Sequence, residues 1–233
     1  MYYVTNENLE AIMLGLDIQE GDRVLAICGS GDQALAMLEN GAEVVAVDKV
    51  RAQLVYAREQ VKLLRQGNFD GFLNPPQDDH TSCFYQNRKE YFSCHGRLEK
   101  IRSNLGRISF IEGNIFCLGD GTISIVQGPG ERILPALKSF LWNVAKTILQ
   151  KPFTKIYLSN AVDLSYFDVD SYSIGQLMDR LVSGGLIYQT CRYESDLFKI
   201  VHRLKLDIDL TSIAQSKEKM GWYRWWPMIY RKE

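Results

Sequence analysis

Nowhere in this 233-residue chain do 18 apolar residues follow one another. The opening Met1-Tyr2-Tyr3-Val4-Thr5-Asn6-Glu7 lacks the basic-then-apolar order of a secretory leader. Neither a membrane span nor export is expected. Charge of one sign is missing too: 27 basic side chains stand against 28 acidic ones, a formal charge of -1, so no global field draws in nucleic acid or an anionic membrane. Cysteine is sparse. The five (Cys28, Cys83, Cys94, Cys117, Cys191) are odd in number, scattered and without a Cys-x-x-Cys pair, which points to reduced thiols in a cytoplasm rather than a disulfide framework. His80, Cys83, Cys94 and His95 match no standard zinc spacing, and no metal is expected. Internal repeats and low-complexity tracts are absent.

What is present is an ordinary globular composition, 46% hydrophobic and 24% charged, long enough to bury the core of one α/β domain over residues 1–233. Thr5 is placed to cap a first helix whose Leu9, Ile12, Met13 and Leu16 share a face. Strands are predicted over 23–28, 42–48, 107–111, 155–159 and 186–190. Helices are predicted over 32–39, 52–64, 133–150, 173–182 and 197–204, with Ser183-Gly184-Gly185 as a turn. Residues 66–105 shift to Gly, Asn, Pro, Asp and aromatics and are read as an inserted lid, loop plus a helix near 85–104. Segments 207–210 and 225–230 are predicted to pair as terminal strands.

The densest signal lies between Arg23 and Asp48: an apolar strand, the loop Cys28-Gly29-Ser30-Gly31-Asp32, a helix, and a second apolar strand that stops on an acid. Strand, helix and strand in about 25 residues imply a right-handed parallel crossover. Gly29 and Gly31 permit close backbone approach to a ligand, the helix N-terminus offers N–H groups, and Asp48 is placed to accept ribose hydroxyls. Gly29-Ser30-Gly31-Asp32-Gln33-Ala34 also satisfies the dinucleotide fingerprint, so a nicotinamide oxidoreductase stays open, as does a non-catalytic cofactor-binding or scaffold protein. An acid-amide pair Glu112/Asn114 after the third strand, the Ser-Gly-Gly turn and the terminal strand pair favour S-adenosylmethionine as the cofactor.

Val24-Leu25-Ala26-Ile27 with Gly31-Asp32-Gln33-Ala34-Leu35, and Val45-Ala46-Val47-Asp48 followed by Ala52-Gln53-Leu54, are similar to the first two motifs of a known family. Tyr157-Leu158-Ser159-Asn160-Ala161-Val162-Asp163, Leu186-Ile187-Tyr188-Gln189-Thr190 and Tyr230-Arg231 add later matches. The chain thus resembles the S-adenosylmethionine:diacylglycerol 3-amino-3-carboxypropyl transferases of betaine-lipid synthesis and their relatives. The resemblance implies an α/β fold of the class I methyltransferase, Rossmann-like type: a doubly wound, mostly parallel seven-stranded sheet with one antiparallel strand and, here, a helical insertion. It implies transfer of the 3-amino-3-carboxypropyl group to a small-molecule or lipid acceptor, with methyl transfer as the alternative. Two departures stand out. Ala26 occupies the place where methyltransferases commonly carry an acid that helps hold the methionine, and the family tends to have Arg where Gln189 stands.

The expected cofactor-binding set is Gly29, Ser30, Gly31, Asp32, Asp48, Lys49, Gln53, Gly113, Asn114, Ile115, Ser159 and Asn160. Asn114 with the Ile115 backbone is placed to read the adenine edge. Asp163 is the candidate catalytic group, at the carboxyl end of a strand where open parallel sheets bind ligands. Tyr85, Arg88 and Tyr91 are assigned to the lid and acceptor, Arg88 as a partner for the methionine carboxylate. Lys217, Lys219, Trp222, Arg224, Trp225, Trp226 and Pro227 form a basic-aromatic cluster suited to a lipid headgroup interface. Nucleic acid is not expected as a partner, and membrane contact would be peripheral at most.

Overall fold

The apolar runs of the first half fold into a parallel sheet because each has residues to bury on both faces. In the computed structural model, which describes residues 3–76, 82–118, 124–125, 135–160, 171–191, 203–218 and 226–233, β1 (Arg23–Ile27) sends Val24 and Ala26 into one core and Leu25 into the other. The next strand, β2 (Glu43–Asp48), divides Val44/Ala46 from Val45/Val47 in the same way. Around them run β3 (Ile108–Glu112), β4 (Ser124–Ile125), β5 (Phe153–Ser159), β6 (Leu181–Cys191), β7 (Leu204–Leu206) and β8 (Trp226–Lys232). Their spatial order is β4-β3-β2-β1-β5-β6-β8-β7.

β3, β2, β1, β5 and β6 are parallel neighbours, and β8 lies antiparallel between β6 and β7. Those seven strands are the expected doubly wound sheet with its one reversed strand. The two-residue β4 is an addition, antiparallel on the outer edge of β3. One core packs α1 (Leu9–Gly15), α2 (Asp32–Met37) and α3 (Arg51–Arg65) against the sheet; the other packs α7 (Pro135–Gln150) and α8 (Ser171–Asp179). Chain order reverses between β1 and β5, so the two crossovers leave on opposite faces and a crevice opens at the carboxyl ends of these strands.

Several boundaries differ from expectation. Asn8, not Thr5, caps α1, its side-chain oxygen accepting the Ala11 N–H at 3.1 Å. The insertion is three short helices, α4 (Phe69–Leu73), α5 (Ser82–Phe92) and α6 (Arg97–Ser103); the helix expected over 85–104 is broken at Gly96, whose φ of 74° leaves the helical region. The Ser183-Gly184-Gly185 turn lies within the long β6, which begins two residues earlier. Asp207 caps a helix, α9 (Ile208–Lys217), where a strand was expected, while the strand that pairs with β8 lies just before it at Leu204–Leu206. Residues 197–202 of the helix expected over 197–204 fall outside the described residues.

Candidate cofactor crevice

The glycine loop is wired to β2 and α3. Cys28 N–H bonds Val47 O at 2.8 Å, Gly31 N–H turns back to Cys28 O at 2.7 Å, and Gln53 Nε2 donates to Gly29 O at 2.7 Å. Asp48 closes the circle, its Oδ2 accepting the Gly29 N–H at 3.0 Å and its Oδ1 the Val50 N–H at 2.8 Å. Each oxygen keeps lone-pair capacity for a further donor. Burial raises the Asp48 carboxyl above its ordinary range against the opposing pull of those backbone bonds.

The two glycines serve different ends. A Cβ on Gly31 (φ 87°) would meet Ala57 Cβ at 2.7 Å, so glycine there lets α3 pack on the loop. A Cβ on Gly29 (φ 49°) would meet nothing within 4 Å, so the loop faces open space at that point. Gly29, Ser30, Gly31, Asp48 and Gln53 therefore converge on one loop, while Lys49 beside them is exposed. On the neighbouring strand end Gly113 N–H bonds Asp48 O at 2.9 Å, and Asn114 caps the short turn Ile115–Cys117 through Phe116 N–H at 3.1 Å. Ile115 is buried, Asn114 exposed. Ser159 and Asn160 lie at the carboxyl end of β5. Asp163 lies outside the described residues, as do His80 and Lys219 to Trp225. Trp226 is exposed at the start of β8 and Pro227 is buried.

Asp32 and Arg88 form a buried ion pair, Nε to Oδ1 2.8 Å, each side chain 1% exposed. Arg88 also donates to Phe72 O at 2.7 Å and lies over the Phe72 ring at 4.3 Å. Its guanidinium thus points into the core rather than out towards an acceptor. Tyr85 donates to Pro76 O, and Tyr91 to Glu39 Oε2 at 3.0 Å. Arg88 and Tyr91 tie the insertion to the body of the protein, while Tyr85 makes its bond within the insertion.

Residues 3–8 form a strap that sequence reasoning did not connect to the site. Tyr3 stacks edge-on against Tyr56 of α3, Thr5 N–H bonds Asp32 Oδ2 at 3.0 Å, and Gln33 Nε2 donates to Thr5 Oγ1 at 2.6 Å. Glu7 ends the strap at the tips of β5 and β6, accepting from Tyr157 Oη at 2.6 Å, from Thr190 Oγ1 at 3.1 Å and from Ser159 Oγ. Burial outweighs these three hydroxyls and raises its carboxyl above the ordinary value. Glu218, just past α9, accepts Asn8 N–H at 3.2 Å and is pushed up to about 7 by burial and by Glu7. Nothing local in the sequence singles out Glu7, whose partners lie 150 to 183 residues away.

No family model matches this chain, and no curated protein does. Solved structures resemble it in fold. A candidate rRNA methylase of Clostridium thermocellum superposes with a TM-score of 0.50 at 11% identity, covering 98% of this chain and 97% of its own. A SAM-dependent O-methyltransferase of Thermotoga maritima gives 0.50 at 11%, covering 100% and 67%. A candidate methyltransferase of Streptococcus mutans, solved in complex with SAH, gives 0.50 at 10%, covering 98% and 99%. The chain has the fold of the class I methyltransferases. The finer resemblance to aminocarboxypropyl transferases rests on the sequence motifs.

Proposed function

We propose that this protein is an S-adenosylmethionine-dependent transferase and that it transfers a methyl group. The observation that carries the reading is the Asp48 carboxylate at the end of β2, tied to the Gly29 N–H with acceptor capacity to spare, beside a loop whose Gly29 faces open space. In this reading Asp48 takes the ribose hydroxyls, the backbone of Gly29 to Gly31 approaches the ligand, Asn114 and the Ile115 backbone read the adenine, and Ser159 and Asn160 flank the far end. Lys49 borders the ribose and Asp163 serves the acceptor. When bound, the cofactor supplies a sulfonium with electrophilic carbons; the protein's part is alignment and exclusion of water. The acceptor is a small molecule or lipid. The neighbouring rRNA methylase keeps a nucleic-acid acceptor in the test set.

The second reading, aminocarboxypropyl transfer, is favoured by the motif resemblance and by the buried Ala26 at the end of β1. S-Adenosylhomocysteine, but not NAD, is expected to raise the melting temperature, since a ligand of the native state stabilises by mass action. Asp48→Ala is expected to weaken that binding by about 1–3 kcal/mol in calorimetry. Absence of stabilisation by S-adenosylhomocysteine refutes the assignment. The by-product separates the reactions: S-adenosylhomocysteine for methyl transfer, methylthioadenosine for aminocarboxypropyl transfer.

A further inference from the structure

Two buried acids stand near the reversal of chain order, and among the described residues only one of them has a cationic partner. Asp32 is paired with Arg88 at 2.8 Å. Glu7, 5% exposed, is met among the described residues by three hydroxyls and by no Lys or Arg. A carboxylate held out of water without a cation is costly. The cage around it includes an unusual backbone conformation: Ser159, at the tip of β5, has φ 52°, a left-handed conformation uncommon outside glycine, and there its hydroxyl reaches Glu7. The Tyr188 hydroxyl, on a fully buried side chain of β6 within electrostatic reach of Glu7, has no hydrogen-bond partner among the described residues. A carboxyl held in place by three hydroxyls, with no cation among the described residues to meet it, is a site suited to a cationic group.

We propose that Glu7, carried across the crevice by the N-terminal strap, is the counter-ion of a ligand ammonium, namely the α-ammonium of the cofactor's amino-acid tail. The proposal rests on the reading of Asp48 as the ribose site. Strands run in the order β2-β1-β5-β6, so a ligand whose sugar sits at the tip of β2 needs to reach two to three strand spacings, roughly 10–14 Å, to arrive between β5 and β6. An adenosine bearing an extended homocysteine-like tail lies along that line, over the glycine loop. The carboxylate that many sites of this kind would place on the first strand has no counterpart at Ala26, which is buried and apolar; the strap supplies it from above instead.

The test compares two ligands on two proteins by calorimetry: S-adenosylhomocysteine, which carries the ammonium, and 5′-methylthioadenosine, the same nucleoside without the tail's amine and carboxylate. Glu7→Gln is expected to weaken S-adenosylhomocysteine about 10- to 100-fold, as befits a lost charge-assisted bond, and to leave methylthioadenosine within about twofold. Equal weakening of both makes Glu7 a structural tie of the strap and overturns the proposal. Unchanged binding of both overturns it as well, including the case in which sinefungin, whose extra amine stands in the place of the transferred group, alone loses affinity and so marks the ammonium as the acceptor's. If wild-type protein binds neither nucleoside, the Asp48 reading has failed rather than this one. Should Glu7→Gln not fold, Glu7→Asp, which keeps the charge but withdraws it by one methylene, is measured in its place: it is expected to weaken S-adenosylhomocysteine and to leave methylthioadenosine within about twofold, and equal effects on both ligands overturn the proposal.

Discussion

Replacing Arg88 with Met removes a buried cation while keeping most of the volume of its stem, and the structure gives the consequence in parts. The Asp32 carboxylate, itself 1% exposed, loses its ion pair and is left with the Thr5 N–H at 3.0 Å among its strong donors. The Phe72 carbonyl loses its 2.7 Å donor, and the Phe72 ring loses the guanidinium 4.3 Å above it. Breaking a buried pair from one side costs about 3–5 kcal/mol because the surviving charge has neither water nor partner. For a chain of this length about 2–4 °C accompanies each kcal/mol, so Arg88→Met is expected to lower the melting temperature by roughly 6–20 °C. Asp32→Asn in the same background then removes the stranded charge and restores much of the loss, since neutral groups of similar shape replace a buried ion pair at little cost. Urea unfolding of the wild type, both single variants and the double variant measures the coupling. A loss below about 1 kcal/mol for Arg88→Met, the scale of an exposed pair, or purely additive losses in the double variant, would refute the reasoning and free Arg88 for an acceptor role.

The two loop glycines are expected to part company. Gly31→Ala forces a methyl to 2.7 Å from Ala57 Cβ at φ 87° and should cost about 2–4 kcal/mol in unfolding experiments; Gly29→Ala, with nothing within 4 Å, should cost about 1 kcal/mol yet weaken S-adenosylhomocysteine. Equal destabilisation by both would show that Gly29 is a packing glycine as well. Glu218 is protonated more readily folded than unfolded, so its contribution is complete below pH 4.5 and is lost as pH rises to about 7. At 1.36 kcal/mol per pH unit that window is worth at most about 3.4 kcal/mol, reduced by solvent screening at a group not fully enclosed. Glu218→Gln should flatten this part of the curve of stability against pH, and an unchanged curve would assign the dependence elsewhere.

The strands and the glycine loop were legible because their signals are local. Val24 to Ile27 and Val44 to Val47 are apolar runs that only a doubly covered sheet can bury, and Gly29, Gly31 and Asp48 fall at fixed offsets from their ends. Errors arose where a local signal was outweighed. Thr5 has the chemistry of a cap, but its hydroxyl and amide are drawn to Gln33 and Asp32, leaving Asn8 to begin the helix. Asp207 to Leu210 has the apolar content of a strand, yet the Asp207 carboxylate caps α9 through the Leu210 N–H at 3.1 Å.

Sequence by itself determined the class of fold and the position of the first crossover, since burial period, glycine spacing and a terminal acid are properties of neighbouring residues. Only the tertiary structure decided what the charged side chains do. Arg88 was turned inward because Asp32, 56 residues earlier, needed a counter-ion once both were shut away from water. Glu7 was brought to the tips of β5 and β6 because the strap finds its hydrogen bonds there, on residues more than 150 positions distant. Electrostatic partnership is set by distance in space and by exclusion of solvent, and neither exists until the chain has folded.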